Sequence, residues 1–151
     1  MKNNSNNLIS DLSIANSCLC SKLRATSRVV SRTYAEALKP IDLKPNQMTI
    51  LVAISLMGPV SITQLSEKLL MERTTLTRNL KPLEKLAYIQ INDGYGRIRE
   101  LTLTDQGRAI LDKAKPLWKN AQEKLIQLLG QDQSDMMSDL LKQILKTGNP
   151  S

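Results

Sequence analysis

Histidine and phenylalanine are missing from these 151 residues, and only two cysteines, one tryptophan and three tyrosines are present. Without histidine there is no Ser-His-Asp triad, no Cys-His dyad, no imidazole-ligated zinc or iron and no imidazole pH switch, which removes most hydrolytic chemistry. Cys18 and Cys20 are too few for a four-thiolate site in one chain. They also make no disulfide framework of the secreted kind, so reduced thiols and a cytoplasmic setting are expected. So few rings cannot build a stacked-aromatic surface for single-stranded nucleic acid, and the core has to be aliphatic. Charged residues interrupt every apolar segment before the roughly 18 residues of a membrane span, so no membrane partner is expected. Residues 1–7 are polar, lack the apolar stretch of a signal peptide, and read as a disordered tail. One domain's worth of chain assembles no nucleophile, base and orienting group, so neither enzymatic activity nor a cofactor or metal is expected.

Leucine, isoleucine, alanine, lysine and glutamine are plentiful and favour helices. The net charge of +7 suits a polyanionic partner. Its distribution is more telling: over residues 73–99, Arg73, Arg78, Lys81, Lys85, Arg97 and Arg99 face only Glu84 and Asp93. A second basic group, Lys22, Arg24, Arg28 and Arg32, comes earlier in the chain.

Apolar residues at three- and four-residue steps over 8–38 predict one long amphipathic helix or two in series, ended by Pro40. Pro45 suits the first turn of a second helix that Gly58-Pro59 stops. Ser61 is a good N-cap for the short segment Ile62-Thr63-Gln64-Leu65-Ser66-Glu67-Lys68-Leu69, and Leu70-Met71-Glu72 is a brief link. The next helix, over 73–86, sets Leu76, Leu80, Leu83 and Leu86 on one face, with Thr74, Arg78, Lys81 and Lys85 nearly opposite. Pro82 is expected to kink that helix without ending it. Residues 88–91 and 97–103 alternate around turn chemistry at 92–96, which predicts a β-hairpin. Thr104 caps a long helix that Gly130 closes, kinked or interrupted near Pro116, and Asp132 or Ser134 starts a last helix ending near Gly148. The first and last helices have too little of their own chain to cover their apolar stripes, so a second subunit is their natural cover.

Helix, short helix, link, helix with a basic outer face, then hairpin is the order of a winged helix-turn-helix, whose second helix enters the major groove. The segments Ile62-Thr63-Gln64-Leu65-Ser66-Glu67-Lys68-Leu69, Glu72-Arg73-Thr74-Thr75-Leu76-Thr77-Arg78-Asn79-Leu80 and Leu103-Thr104-Asp105-Gln106-Gly107 resemble the MarR family of bacterial transcriptional regulators over about residues 19–145. The resemblance implies a mainly α fold with a small β-hairpin wing and long N- and C-terminal dimerisation helices. It divides the chain into a helical dimerisation region (8–44 and 105–151) and a DNA-binding region (45–104). It also implies a homodimer on a pseudopalindromic double-stranded operator, acting as a repressor.

Carried over by motif, recognition-helix contacts fall on Arg73, Thr74, Thr75, Thr77 and Arg78, with Lys81 nearer the phosphates and Ser61, Thr63 and Gln64 holding the backbone. The chemistry agrees: arginine bridges guanine O6 and N7, threonine offers a hydroxyl and a methyl, and lysine is a mobile point charge. Arg97 takes the position of the wing arginine, with Arg99 beside it, although Tyr95 stands where relatives have aspartate. The alternative is a basic architectural protein of the same fold that binds DNA without sequence preference.

Residues 19–28 resemble the first helix of the organic-hydroperoxide-sensing OhrR branch, which implies a reactive thiol at Cys20 and a thiolate-binding tyrosine at Tyr34. Pro45 stands where that branch has its second tyrosine. Three readings of Cys18 and Cys20 stay open: small apolar residues packed between subunits, an organic-hydroperoxide sensor, or Cu(I) capture across a dimer. If thiol oxidation is not the signal, the resemblance implies a small aromatic or phenolic ligand between the dimerisation and winged regions. Arg24, Arg28 and Arg32 then either serve a carboxylate or form a solvated stripe near Glu36.

Overall fold

A computed structural model describes residues 10–93 and 99–148, in two compact units, 1–33 and 34–151. The tail at 1–7 and the wing tip, with Tyr95 and Arg97, lie outside the described residues.

In the first unit, Ser10 caps α1 (Asp11–Ser17), its hydroxyl accepting from the Ser13 amide at 3.1 Å. Cys18 is extended (ψ 106°) and separates α1 from α2 (Leu19–Leu38), so the predicted stretch is two helices in series. The Cys18 sulfur accepts from the Ser21 amide at 3.5 Å, which places it as a cap on the first turn of α2. Leu12, Ile14, Leu19, Leu23 and Val29 are exposed, as are Arg24, Arg28 and Arg32.

The second unit begins within α2 at Tyr34. Pro40 lies in a single 3-10 turn (Lys39–Ile41), after which α3 (Pro45–Met57) starts on its proline. The buried Gln47 side chain accepts from the Lys44 amide at 2.9 Å and fixes that first turn. Ile50, Leu51 and Ile54 make α3 the centre of an aliphatic core completed by Leu38, Leu65, Leu76, Leu80, Leu83, Leu101 and Leu111. Among the described residues no aromatic ring is in the buried core, and Tyr88 packs at its edge.

Ser61 caps α4 (Ile62–Leu69), and α5 (Arg73–Lys85) runs on through Pro82, whose missing N–H and ring are tolerated near the end of the helix. Leu86 was expected on the buried stripe and is instead exposed. The helix stops at Lys85, and Ala87 turns left-handed (φ 53°) so that the Tyr88 amide can bond the Leu83 carbonyl at 2.9 Å. Leu86 keeps a helical amide bond to the Pro82 carbonyl at 3.0 Å and lies at the rim of the stripe, about 80° round the helix from Leu76.

The hairpin consists of β2 (Ile89–Asp93) and β3 (Arg99–Leu103), antiparallel with Ile91 opposite Leu101. Asn92 and Asp93, read as turn from sequence, extend β2 and pair with Glu100 and Arg99. A two-residue strand, β1 (Val60–Ser61), adds to the far edge of β3 and gives the order β1-β3-β2.

Thr104 caps α6 (Asp105–Leu129), accepting from the Gly107 amide at 3.0 Å while its hydroxyl donates to the Ala87 carbonyl. Pro116 does not interrupt α6, and Gly130 (φ 85°) separates it from α7 (Gln131–Gly148). The last helix thus begins before Asp132, because Gly130 both closes α6 and accepts from the Ser134 amide at 3.1 Å.

Gly107 is where the hairpin meets α6: a Cβ there would lie 1.9 Å from the Tyr88 carbonyl oxygen, a backbone atom that cannot yield. Gly107→Ala is expected to cost about 3 kcal/mol and lower the thermal unfolding midpoint by on the order of 10 °C, as read by circular dichroism. An unchanged midpoint would show that hairpin and helix are not docked this closely.

Candidate nucleic-acid interface

Burial of Leu76, Leu80 and Leu83 fixes which way α5 faces. Each is worth about 2 kcal/mol of apolar burial, far more than any exposed side chain contributes, so the opposite face is held outward. On that face Thr74, Arg78, Lys81 and Lys85 are exposed. Arg73, Thr74, Thr77, Arg78 and Lys81 line one shallow groove of about 330 Å³. Five of the sequence-predicted contact residues are therefore brought together. Thr75 is also exposed and lies further round the helix. The Thr77 hydroxyl donates to the Arg73 carbonyl at 2.8 Å, which leaves its lone pairs and its methyl facing outward.

Glu72 makes no side-chain cap on α5, so the N–H groups of its first turn carry no side-chain partner. At the neighbouring helix, Ser61 and Gln64 hold each other. The Ser61 hydroxyl accepts from the Gln64 amide at 3.2 Å, and the Gln64 side-chain carbonyl accepts from the Ser61 amide at 3.1 Å. This reciprocal box shapes the start of α4, whose exposed face carries Thr63 and Gln64. The Leu70 backbone is left-handed (φ 51°), which turns the chain sharply between α4 and α5. Arg99 is exposed on β3, at the wing.

A second feature lies on the α3 side of the fold. Tyr34, Leu38, Pro45, Met48, Thr49, Val52, Lys115 and Trp118 line a cavity of about 560 Å³. The Tyr34 hydroxyl donates to the Gln122 side-chain carbonyl, and partial burial raises the Tyr34 pKa above its usual 10.0. Lys115 pairs with Asp112 at 2.7 Å. Sequence reading singled out Tyr34 and Pro45 but not Lys115, Trp118, Met48, Thr49 or Val52, although a lone tryptophan three positions from a lysine on one helix was a usable signal. Of the two cysteines, Cys20 is exposed, Cys18 is half-buried, and both are free. Among the described residues there is no cluster of three or more metal-ligating side chains, and no helix long and apolar enough to cross a membrane.

A helix pair with its second member presenting a basic outer face, followed by a three-stranded wing, defines a winged helix-turn-helix. Residues 41–98 match the MarR family model. The HTH-type transcriptional regulator SarZ of Staphylococcus haemolyticus is 30% identical over 137 residues, 84% of this chain and 86% of SarZ. The crystal structure of the Mycobacterium tuberculosis transcriptional regulator MosR in complex with DNA is similar at TM-score 0.73 and 31% identity, covering 88% of this chain and 99% of that one. The transcriptional repressor CouR bound to p-coumaroyl-CoA shares the fold at TM-score 0.82 and 24% identity, over 89% of this chain and 96% of that one. The chain belongs to the MarR family of transcriptional regulators and, like these relatives, is not an enzyme.

The raised Tyr34 pKa has a sign that can be measured. A phenol that holds its proton more tightly in the folded state contributes stability below pH 10, lost as pH climbs through the folded-state value. Tyr34→Phe loses the bond to Gln122, about 1 kcal/mol at neutral pH. Denaturant titrations from pH 8 upward should therefore show the wild type losing stability faster than the variant above pH 10. Parallel curves would place Tyr34 in water.

Proposed function

We propose that the chain is a cytoplasmic, sequence-specific DNA-binding repressor. On this reading it acts as a homodimer on a pseudopalindromic operator and is released when a small aromatic or phenolic ligand occupies the cavity beside Tyr34 and Trp118. The observation that carries the DNA-binding reading is the exposed face of Thr74, Arg78 and Lys81 on a helix anchored by three buried leucines. Arg73, Thr75 and Thr77 extend that face. Ser61, Thr63 and Gln64 hold the phosphate backbone, and Arg99, with Arg97 beyond the described residues, supplies the wing. The structures of MosR with DNA and CouR with p-coumaroyl-CoA support a DNA partner and an aromatic effector.

The cavity favours ligand release over thiol oxidation. Its lining combines the Tyr34 and Trp118 rings with aliphatic side chains and with Lys115, which is shared with Asp112, a setting that suits a flat aromatic. The Tyr34 hydroxyl, which a thiolate would need, is engaged by Gln122. Dimerisation is supported by α7, where Met136, Met137, Leu140, Leu141, Ile144 and Leu145 are all exposed in the single chain.

Fluorescence anisotropy on a duplex that the wild-type protein selects from a randomised library tests the reading. A preference of about a thousandfold or more over random DNA supports a regulator, whereas a salt-sensitive, sequence-blind affinity makes the chain architectural. Arg78→Ala should cost about 1–3 kcal/mol on the selected duplex and relax specificity at one base pair per half-site. Lys81→Ala should weaken all duplexes alike and flatten the salt dependence. Unchanged binding would remove either residue from the interface.

Deleting the chain after Gln131 removes the exposed stripe of α7 and should convert a dimer into a monomer in sedimentation equilibrium. A truncated chain that still sediments as a stable dimer refutes the assignment of α7 to the subunit interface.

A further inference from the structure

Close packing of the leucine stripe commits one face of α5 inward, but apolar attraction has no direction of its own. A polar contact adds an angular restraint that the stripe does not carry. Readout of bases needs more: turning α5 by about 10° would move a guanidinium held roughly 7 Å from the axis by about 1 Å, enough to break a bidentate pair. A directional contact at the edge of the stripe supplies what the leucines lack.

Asn79 is at that edge. It follows Arg78 and lies about 60° round the helix from Leu76, on the Thr75 side. Its side-chain amide donates to the Thr75 carbonyl at 2.8 Å, which pins it along its own helix. Its side-chain carbonyl accepts from the side-chain amide of Asn46, on the first turn of α3. That turn is itself stiff: Pro45 fixes one φ, and the buried Gln47 side chain holds the Lys44 amide. A rigid helix start is thus bonded, across 33 positions of sequence, to the residue beside Arg78.

The geometry points to Asn46 and Asn79 as positioning residues that set operator specificity without touching DNA, by fixing the rotation of α5 against α3. This rests on the reading of α5 as the recognition helix. Asn46 is exposed and Asn79 half-buried, so water can reach the bond and its loss costs overall stability little. Its effect is confined to the angle at which Arg78 and Thr74 are presented.

The test is a double-mutant cycle of Asn46→Ala, Asn79→Ala and the double variant on the full-length protein. Affinity is measured for the duplex selected by the wild type and for a random duplex of equal length. Each single variant is expected to lose about five- to tenfold on the selected duplex, with the double variant no worse than either. Random-duplex affinity, the salt slope and the melting temperature should stay as in the wild type. Additive losses, equal losses on both duplexes, or no loss at all would overturn the brace; equal losses would reassign the residues to phosphate contact or to general stability. A wild-type protein that fails to prefer its selected duplex would instead overturn the regulator reading itself, and the brace with it.

Discussion

The leucine stripe of α5 is the constraint from which the rest follows. Leu76, Leu80 and Leu83 are each at most 2% exposed and bury themselves in a core centred on α3. Because a helix repeats every 3.6 residues, committing those three inward commits Thr74, Arg78, Lys81 and Lys85 outward. A basic surface that electrostatics alone would scatter is thereby collected on one face. The charge is a passenger of the packing: the hydrophobic term fixes its direction, and no ion pair among the described residues ties Arg78 or Lys81 down.

Around this stripe the chain spends its local chemistry on placing neighbours. The Ser61 and Gln64 box starts α4, and left-handed Leu70 turns it into α5. Left-handed Ala87 turns α5 into the hairpin, and Thr104 ties the end of that hairpin to α6. Leu70 and Ala87 are positions where glycine would be unstrained, and each costs on the order of 1 kcal/mol in this conformation. Both are exposed and flank the helix that carries the basic face, and the buried elements they connect hold them in this conformation.

What was legible in the sequence was what is local. Caps at Ser61 and Thr104, the proline start of α3, the stops at Gly58 and Gly130, and the two faces of α5 are each fixed by residues within about four positions of one another, and all appear as read. What was not legible depends on distant partners. β1 is two residues long and exists because Val60 and Ser61 meet Leu101 and Glu100. Asn92 and Asp93 have turn composition, yet the register of β3 draws them into the ladder. Leu86 fits the stripe by spacing but lies at its rim, where the packing of other elements leaves it exposed. The cavity joins α2, α3 and α6, and the bond between Asn46 and Asn79 joins α3 and α5; no periodicity within one element announces either.

The two ends of α3 thus serve different masters. On its later turns Ile50, Leu51 and Ile54 are buried in the core. Its first turn carries Pro45, Met48 and Thr49 into the cavity wall while Asn46 reaches α5. An occupant of the proposed ligand cavity would meet this turn together with Leu38 of the core, and of the two the close-packed core resists displacement more. The same turn holds the partner of Asn79. If the proposed ligand and the proposed brace both hold, a ligand that shifts Pro45 and Thr49 would act on the angle of α5 with no need for a long relay through the domain. Coupling between cavity and DNA then requires only differential contact with one helical turn in two positions.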